Sequence, residues 1–326
     1  MIYFCYFAKL NVNKHVDVET QHILMKIVLM GTPDFAVASL DALVQANFNV
    51  VAVITAPDKP AGRGQKLNES AVKKYATEKG IPVLQPEKLK NQAFLDELKS
   101  FQADLQVVVA FRMLPEVVWN MPTKGTINLH GSLLPQYRGA APINHAIING
   151  EKESGVTTFF LTHEIDTGDI IQSASTPIGD DETAGELHDK LMNIGAKLLV
   201  KTVTAIQAGD VKEQAQPESS ELRHAPKIFK EDCKIDWNKP VQEVYNLIRG
   251  LSPYPTAFTF LNDKTLKIFK AEKEQKEPGI ASGGFLTDGK TYLKFATKDG
   301  FIKLLDIQYE GKKRMLVEDF LRGMRL

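Results

Sequence analysis

The chain has 326 residues, of which 43% are hydrophobic and 25% charged, and its formal net charge is zero. These proportions are typical of a soluble globular protein, no apolar run is long enough for a membrane helix, and the length predicts two domains. Cys5 and Cys233 are the only cysteines. This excludes a disulfide framework and a cysteine-based zinc site, and it favours a reducing, cytoplasmic compartment.

The charge is distributed unevenly. Residues 226–326 contain 19 Lys and Arg against 14 Asp and Glu, a net of +5, and the remainder contains 21 against 26, a net of −5. A basic C-terminal third indicates an anionic partner such as RNA, although a solvated surface can carry the same excess.

Residues 1–24 do not fit the pattern that follows. Their apolar opening is interrupted by Lys9 and Lys14, and no small-residue cleavage site follows, so the segment does not resemble a signal peptide. We expect Met25 to be the natural start, and residues 1–24 to be an upstream-start artefact or a disordered tail.

Apolar runs alternate with helical stretches from Met25 to about residue 209. The runs KIVLMG, NVVAVIT and LQVVVA predict buried strands, and helices are predicted to begin near Asp34, within ESAVKKYATEKG and at TAGELHDKLMNI. This order predicts an α/β domain over residues 25–209, with a doubly wound, mostly parallel sheet. The Gly31-Thr32-Pro33 turn lacks the G-x-G-x-x-G pattern, which disfavours a nicotinamide dehydrogenase.

The most informative stretch is TINLHGSLLPQYRGAAPI, which begins at Thr126. Asn128 and His130 lie two residues apart on a short apolar strand, so both side chains point to the same face. Gly131 and the following prolines predict a long loop before a helix near Ala140. Polar residues at a strand end followed by a loop are typical of active sites in open α/β sheets.

A third polar residue, Asp166, lies in the turn of THEIDTGDII between two apolar strands. An amide, an imidazole and a carboxylate that converge at one sheet edge can stabilise an oxyanion and move a proton. None of the three is a strong nucleophile, which favours direct transfer over a covalent intermediate. Taken singly, an Asn or a His at a strand end is more often a hydrogen-bonded structural residue.

NLHGSLLPQYRGAAPI together with IDTGDI resembles the signature of the 10-formyltetrahydrofolate-dependent formyltransferases, and the similarity extends from about Met25 to the C-terminus. The resemblance implies a formyltransferase-type Rossmann-like domain in which Asn128, His130 and Asp166 are catalytic. It also implies 10-formyltetrahydrofolate as the formyl donor, with no metal.

The resemblance places folate-binding residues on two segments. The first follows the strand LQVVVA and the second is the SLLP loop, and the implied residues are Phe111, Leu114, Ser132, Leu133, Leu134 and Pro135. The first segment departs from the family, since AFRMLP has Phe111 where a tyrosine is usual and Arg112 where a glycine is usual.

The loop APDKPAGRGQKL has two prolines, two glycines and no apolar cluster, which predicts a mobile surface loop. It resembles an insertion in the family members that act on tRNA. The resemblance implies that Lys59, Arg63 and Lys66 contact the acceptor end of the tRNA, with Arg63 the most important.

Residues 210–225 are polar and carry Pro217, which predicts a linker. Residues 226–326 then combine one short helix over residues 240–250 with strand-like runs such as AFTFL and FIKLLDI, which predicts a smaller, OB-like β-barrel domain. Its densest positive cluster is Lys312, Lys313 and Arg314. As phosphate contacts these residues would set affinity rather than sequence choice.

Taken together, the resemblance implies a monomeric enzyme that formylates the α-amino group of initiator methionyl-tRNA. The alternatives are formyl transfer to a small amine, such as an amino-sugar nucleotide or glycinamide ribonucleotide, and hydrolysis of the formyl-folate. An RNA-binding protein on a degenerate enzyme scaffold is the alternative from another class.

Overall fold

The structure is a computed structural model that describes residues 25–61, 66–217 and 221–323. The predicted extension before Met25 lies outside the described residues. In chain order the first part of the chain forms β1 (Lys26–Gly31), α1 (Asp34–Gln45), β2 (Asn49–Ile54), β3 (Lys59–Ala61), β4 (Lys66–Asn68), α2 (Ala71–Glu78), β5 (Val83–Leu84), α3 (Gln92–Ser100), β6 (Leu105–Val109), α4 (Glu116–Trp119), β7 (Thr126–His130), β8 (Arg138–Gly139), α5 (Pro142–Ile148), β9 (Glu153–Phe160), β10 (Ile170–Pro177), α6 (Ala184–Ala208) and β11 (His224–Ala225).

Seven of these strands form the main sheet, in the order β10-β9-β7-β6-β1-β2-β5. The five from β7 to β5 are parallel, and β9 is antiparallel to both of its neighbours. The chain leaves β1 toward β2 and later returns to β6 on its other side. The predicted doubly wound, mostly parallel sheet is confirmed.

Both faces of the sheet are covered, because successive side chains of a strand point to opposite faces. Ile27 and Leu29 of β1 belong to one buried cluster, with residues of α1 and α6. Val28 and Met30 belong to another cluster, with residues of α3. This arrangement explains why β1 and β6 read as continuous apolar runs.

Capping residues in the sequence fix both ends of the long helix α6. Thr183 and Glu186 form a capping box at the start of α6, in which the Thr183 amide donates to the Glu186 carboxylate at 2.8 Å. Gly209, in the left-handed region at φ 71°, ends the helix.

The second domain contains a 3-10 turn (Glu231–Cys233), α7 (Val241–Gly250), β12 (Ala257–Leu261), β13 (Lys264–Glu274), β14 (Phe285–Thr287), β15 (Leu293–Ala296), β16 (Phe301–Tyr309), β17 (Met315–Leu316) and α8 (Val317–Arg322). Its antiparallel sheet has the order β12-β13-β16-β15-β14, with β17 paired to β16. The buried side of α7 packs with this sheet in a separate core. The predicted OB-like domain is confirmed.

The two domains contact each other through α5 and α7. The Asn144 amide donates to the Gly250 carbonyl at 2.7 Å, and the Tyr245 hydroxyl donates to the Asp181 carboxylate at 2.8 Å. Arg249 is 5% exposed and donates to the Glu182 carbonyl at 3.0 Å. Within the described ranges, no helix is both long enough and apolar enough to cross a membrane.

Two stretches without apolar patterning are also ordered by pairing. The ends of the basic loop form a hairpin in which β3 pairs with β4, Lys59 opposite Asn68. The described residues of the predicted linker, 210–217 and 221–225, lie against the first domain. Gln214 exchanges two backbone hydrogen bonds with Ile170, and β11 pairs with β8 in parallel.

Candidate active site

A cavity of about 810 Å³ opens at the carboxyl ends of β1, β6 and β7. Its walls come from the start of α1, from residues 110–114 after β6, from residues 128–131 on β7 and from the turn at residues 161–166. The cavity lies where the strand order reverses, between β1 and β6, which is the usual ligand site of such sheets.

Asn128, His130 and Asp166, the three predicted catalytic residues, all line this cavity. Asn128 is half-buried, and among the described residues its side-chain amide has no hydrogen-bond partner. His130 is only 7% exposed. The structure therefore brings an unpaired amide, an imidazole and a carboxylate to one surface.

Both ring nitrogens of His130 face acceptors. Nε2 lies 2.9 Å from the Tyr137 carbonyl oxygen, which can only accept, so Nε2 donates and carries a hydrogen. Nδ1 lies 3.7 Å from Oδ2 of Asp166, too far for a direct hydrogen bond. Nδ1 is therefore available to a substrate atom beside Asp166.

The Asp166 carboxylate is held at one oxygen. The Gly139 amide donates to Oδ2 at 2.9 Å, and no hydrogen bond to Oδ1 from another described residue is present. Asp166 itself is in the left-handed region at φ 56°, a conformation that aspartate tolerates better than most residues. Oδ1 is thus free to accept a proton from a ligand.

The loop after β7 is fixed by a buried phenol. The hydroxyl of Tyr137 donates to Oε1 of Glu151 at 2.5 Å, and Arg223 forms an ion pair with the same carboxylate. Burial raises the pKa of Tyr137, which keeps the hydroxyl protonated as a donor. This fixes the Tyr137 carbonyl that orients the His130 ring.

The predicted folate residues fall into two groups. Phe111 and Leu114 line the cavity. The SLLP segment, Ser132 to Pro135, is not part of the lining: Ser132 donates to the Gln136 carbonyl at 2.6 Å, and the Leu134 amide donates to Thr157 at 3.1 Å. This segment is held by Thr157 of β9, the residue that pairs with His130 of β7.

Arg112, which departs from the family pattern, lies at the rim of the cavity. Its guanidinium donates to the carbonyls of Pro86 and Glu87 and lies 5.6 Å from the centre of the Phe111 ring. The arginine therefore ties the segment after β6 to the neighbouring loop.

The predicted tRNA-binding residues lie in two places. Lys59 is exposed on β3, whereas Arg63 and the Lys66 side chain lie outside the described residues. Lys312 and Lys313 are exposed on the turn between β16 and β17. Arg314 forms a two-pronged ion pair with Asp306, with an Nη2 to Oδ2 distance of 2.6 Å, so its charge is neutralised locally.

A second cavity, of about 1650 Å³, opens between the domains. Tyr254, 82% exposed, lines both cavities and marks where they meet. The second cavity carries charges of both signs, including Arg249, Lys270 and Glu272.

Sequence reasoning missed three groups that hold the catalytic residues: the Tyr137 carbonyl, the Gly139 amide and the Gln216 side chain. Gln216 donates from Nε2 to the carbonyls of Asp166 and Gly168, both at 2.8 Å. Tyr137 and Gly139 could have been found from their place in the QYRG stretch, which belongs to the most informative motif. Nothing in the polar segment around Gln216 distinguished that residue from its neighbours.

Models of known protein families match almost all of the described chain. The family model described as formyl transferase matches residues 25–203, and the one described as formyl transferase, C-terminal domain, matches residues 227–325. A methionyl-tRNA formyltransferase of Bacteroides fragilis is 56% identical over 93% of this chain and 96% of its own length. One from Flavobacterium johnsoniae is 53% identical over 92% and 96%.

Solved structures with low sequence identity share the fold. WlaRD, a sugar 3N-formyl transferase crystallised with dTDP and 5-N-formyl-THF, has a TM-score of 0.65 at 24% identity, covering 89% of this chain and 99% of its own. HypX from Aquifex aeolicus, in complex with tetrahydrofolic acid, has a TM-score of 0.64 at 18% identity, covering 91% and 47%. From the two matched domains and the relatives above 50% identity, the chain belongs to the formyl transferase family, among the methionyl-tRNA formyltransferases.

Proposed function

We propose that this protein transfers the formyl group of 10-formyltetrahydrofolate to the α-amino group of initiator methionyl-tRNA. The observation that carries the proposal is the convergence of Asn128, His130 and Asp166 in one cavity of a formyltransferase fold. Among the described residues, the lining contains no cysteine, serine or lysine, which favours direct attack of the amine on the formyl carbon.

In this mechanism Asn128 and His130 stabilise the oxyanion. The free Asn128 amide and the hydrogen on Nδ1 of a doubly protonated His130 both donate to the formyl oxygen, and the doubly protonated ring also satisfies its contact with the Tyr137 carbonyl. One such donor is worth about 3–4 kcal/mol.

Asp166 has two roles. Its negative charge, 3.7 Å from Nδ1, stabilises the positive charge on the His130 ring during the reaction, and its free Oδ1 accepts the proton that the amine loses, directly or through water. Positioned proton transfer of this kind contributes about 10²- to 10⁴-fold.

The cavity suits a folate donor in size and character. Its volume of about 810 Å³ is within the range of about 300–1,000 Å³ usual for small-molecule sites, and Phe111, Leu114 and Trp119 give it an apolar wall. We propose that Phe111 and Leu114 contact the folate directly. In this proposal residues 132–135 act indirectly: they hold Thr157, which pairs with the strand end that carries His130.

The acceptor is proposed from the relatives and from the surface outside the cavity. The two relatives above are named for methionyl-tRNA, and the large cavity between the domains joins the catalytic one at Tyr254, which leaves room for a long acceptor. Exposed Lys59, Lys312 and Lys313 are the proposed phosphate contacts, and Arg63 is proposed to contact the acceptor end.

The catalytic roles are tested by single-turnover formyl transfer with Asn128→Ala and His130→Ala. Each should lower the rate at least a hundredfold while tRNA binding is retained. Asn193→Ala, on the exposed side of α6, is the matched control and should keep the wild-type rate. Wild-type rates in either active-site variant would contradict the mechanism.

The acceptor is tested by supplying charged initiator tRNA, uncharged tRNA, elongator methionyl-tRNA and a 4-amino-sugar nucleotide to the purified protein. Product on the charged initiator alone is expected. Formylated sugar, or formate released without an acceptor, would refute the proposed acceptor.

Arg63→Ala tests whether the basic loop acts on the tRNA rather than on the aminoacyl group. It should raise KM for the tRNA and leave a short aminoacyl mimic unaffected. Equal loss with both substrates would assign the basic loop to the folate or to folding instead.

A further inference from the structure

The segment that joins the domains packs against two elements of the active site, the turn that carries Asp166 and the strand β8 that carries Gly139. We refer to its described residues, 210–217 and 221–225, as the strap. Its first part pairs with Ile170 through Gln214, and its last part forms β11, which pairs with β8. Between these contacts the side chain of Gln216 reaches the turn that carries Asp166.

Gln216 uses all of its hydrogen-bonding capacity. Nε2 donates to the carbonyl oxygens of Asp166 and Gly168, both at 2.8 Å, and Oε1 accepts from Nε and Nη2 of Arg138 at 3.1 and 2.6 Å. Because carbonyls only accept and a guanidinium only donates, this arrangement requires the amide in one orientation. A single side chain thus connects the Asp166 turn to β8.

The Asp166 turn and β8 also form the contact that fixes the Asp166 carboxylate. The Gly139 amide on β8 donates to Oδ2 of Asp166 at 2.9 Å. Gln216 bonds the backbone of Asp166 on one side and the neighbouring Arg138 on the other. It therefore sets the separation between the carboxylate and the amide that holds it.

On its other side the turn packs closely against β9. Gly168 is buried so closely against β9 that a Cβ there would lie 1.7 Å from the Phe160 carbonyl, which prevents the turn from moving inward. Without Gln216, the carbonyls of Asp166 and Gly168 lose their bonds to the strap, and the turn is no longer held in place against β9.

We infer that Gln216 is a positioning residue for formyl transfer: through the backbone of Asp166 and Gly168 it holds the Asp166 carboxylate beside Nδ1 of His130. The inference rests on the proposed function, and it assigns a role in the reaction to a residue of the polar segment between the domains. Gln216 acts through Asp166 and does not contact the reacting atoms.

Two variants distinguish the hydrogen bonds that Gln216 donates from those that it accepts. Gln216→Ala removes all four hydrogen bonds, whereas Gln216→Glu keeps the acceptor for Arg138 but loses both donors. A displacement of about 1 Å costs about a hundredfold in rate. We therefore expect both variants to lower kcat 10- to 100-fold with less than a threefold change in the KM for the acceptor.

Gln214→Ala is the matched control. The Gln214 side chain is exposed and its pairing with Ile170 uses backbone atoms only, so kcat should stay at the wild-type value. Near-wild-type kcat in Gln216→Glu would mean that only the contact with Arg138 matters, and it would overturn the inference.

Two further measurements exclude a merely structural role. In an Asp166→Asn background, Gln216→Ala should lower kcat less than twofold further, because the carboxylate through which it acts is absent. Additive losses would overturn the inference.

Hydrogen exchange gives a readout that does not depend on turnover. The Gly139 amide should lose at least tenfold protection in both Gln216 variants and none in Gln214→Ala. Unchanged protection would refute the positioning role. Inactive wild-type protein would refute the proposed function, and the exchange result would still decide whether Gln216 positions Asp166.

Discussion

At Gly139 the strap packs closely against the strand that holds Asp166. Its φ of 126° lies in the region that favours glycine, and a Cβ there would lie 2.4 Å from the Ala225 carbonyl oxygen. Ordinary contacts of a Cβ begin at 3.4 Å. Gly139→Ala must therefore displace the strap by about 1 Å, which is the difference between these two distances.

The cost of this displacement follows from the bonds it breaks. Backbone strain at this φ costs about 1–3 kcal/mol. The displaced Ala225 carbonyl also accepts from the Ala141 amide at 3.2 Å, and the loss of that bond adds about 1 kcal/mol. We expect the free energy of unfolding to fall by about 2–4 kcal/mol, and kcat to fall as well because the Gly139 amide holds Asp166.

Urea unfolding followed by circular dichroism measures the stability change, and Gly80→Ala is the control. Gly80 has φ 68°, and no atom lies within 4 Å of the place that a Cβ would take, so its substitution carries strain alone, about 1 kcal/mol, and no loss of activity. If Gly139→Ala destabilises the protein no more than Gly80→Ala and leaves kcat intact, the close fit between the strap and the active site is refuted.

Three further predictions concern the rest of the chain. Arg249→Met should lower the free energy of unfolding by about 2 kcal/mol in urea, since the acceptor oxygens of Asn246, Gly179 and Glu182 lose their buried donor; a loss below about 0.5 kcal/mol would contradict this. Lys312→Gln should reduce the slope of log affinity against log salt by about 0.7–0.9 in tRNA binding, whereas Arg314→Gln, whose charge is already paired, should hardly change it. Thr183→Ala should cost about 1 kcal/mol at pH 7. Hydrogen bonds from the Thr183 backbone and side chain lower the pKa of Glu186. The stability that they contribute is therefore present above the ordinary pKa of 4.5 and is lost as the pH falls through the lowered pKa. The difference in the free energy of unfolding between variant and wild type, measured in urea, should shrink below pH 4.5.

The main sheet was predictable because its signals are local. The parallel strands β1 and β6 are almost fully buried and so read as continuous apolar runs, and α2, α3 and α6 each begin after a residue whose side chain caps the helix. The same locality predicted the positions of Asn128 and His130, which share a face of β7 through simple alternation. Asp166 was predicted as the third catalytic residue from its place in a turn between two strands.

The strap could not be predicted, because what holds it is not in its own sequence. Gln216 lies 50 residues from Asp166 in the chain and bonds to backbone carbonyls, so no side-chain pattern marks the pair. A polar composition without periodicity is shared by free linkers and by segments that dock through backbone and amide hydrogen bonds. Only the three-dimensional arrangement distinguishes them.

The position of the strap also links the active site to the orientation of the second domain. Immediately after β11 the chain enters that domain, and the Pro226 carbonyl lies 3.0 Å from Nε2 of His145 on α5, the helix that packs against α7. The strand that pairs with β8 is therefore tied to the domain interface. Because β8 also carries the Gly139 amide that holds Asp166, a rotation of the second domain large enough to pull β11 away would displace a catalytic group. The hydrogen bonds of Arg249, Tyr245 and Asn144 across the interface oppose such a rotation, so they stabilise the catalytic geometry as well as the domain arrangement.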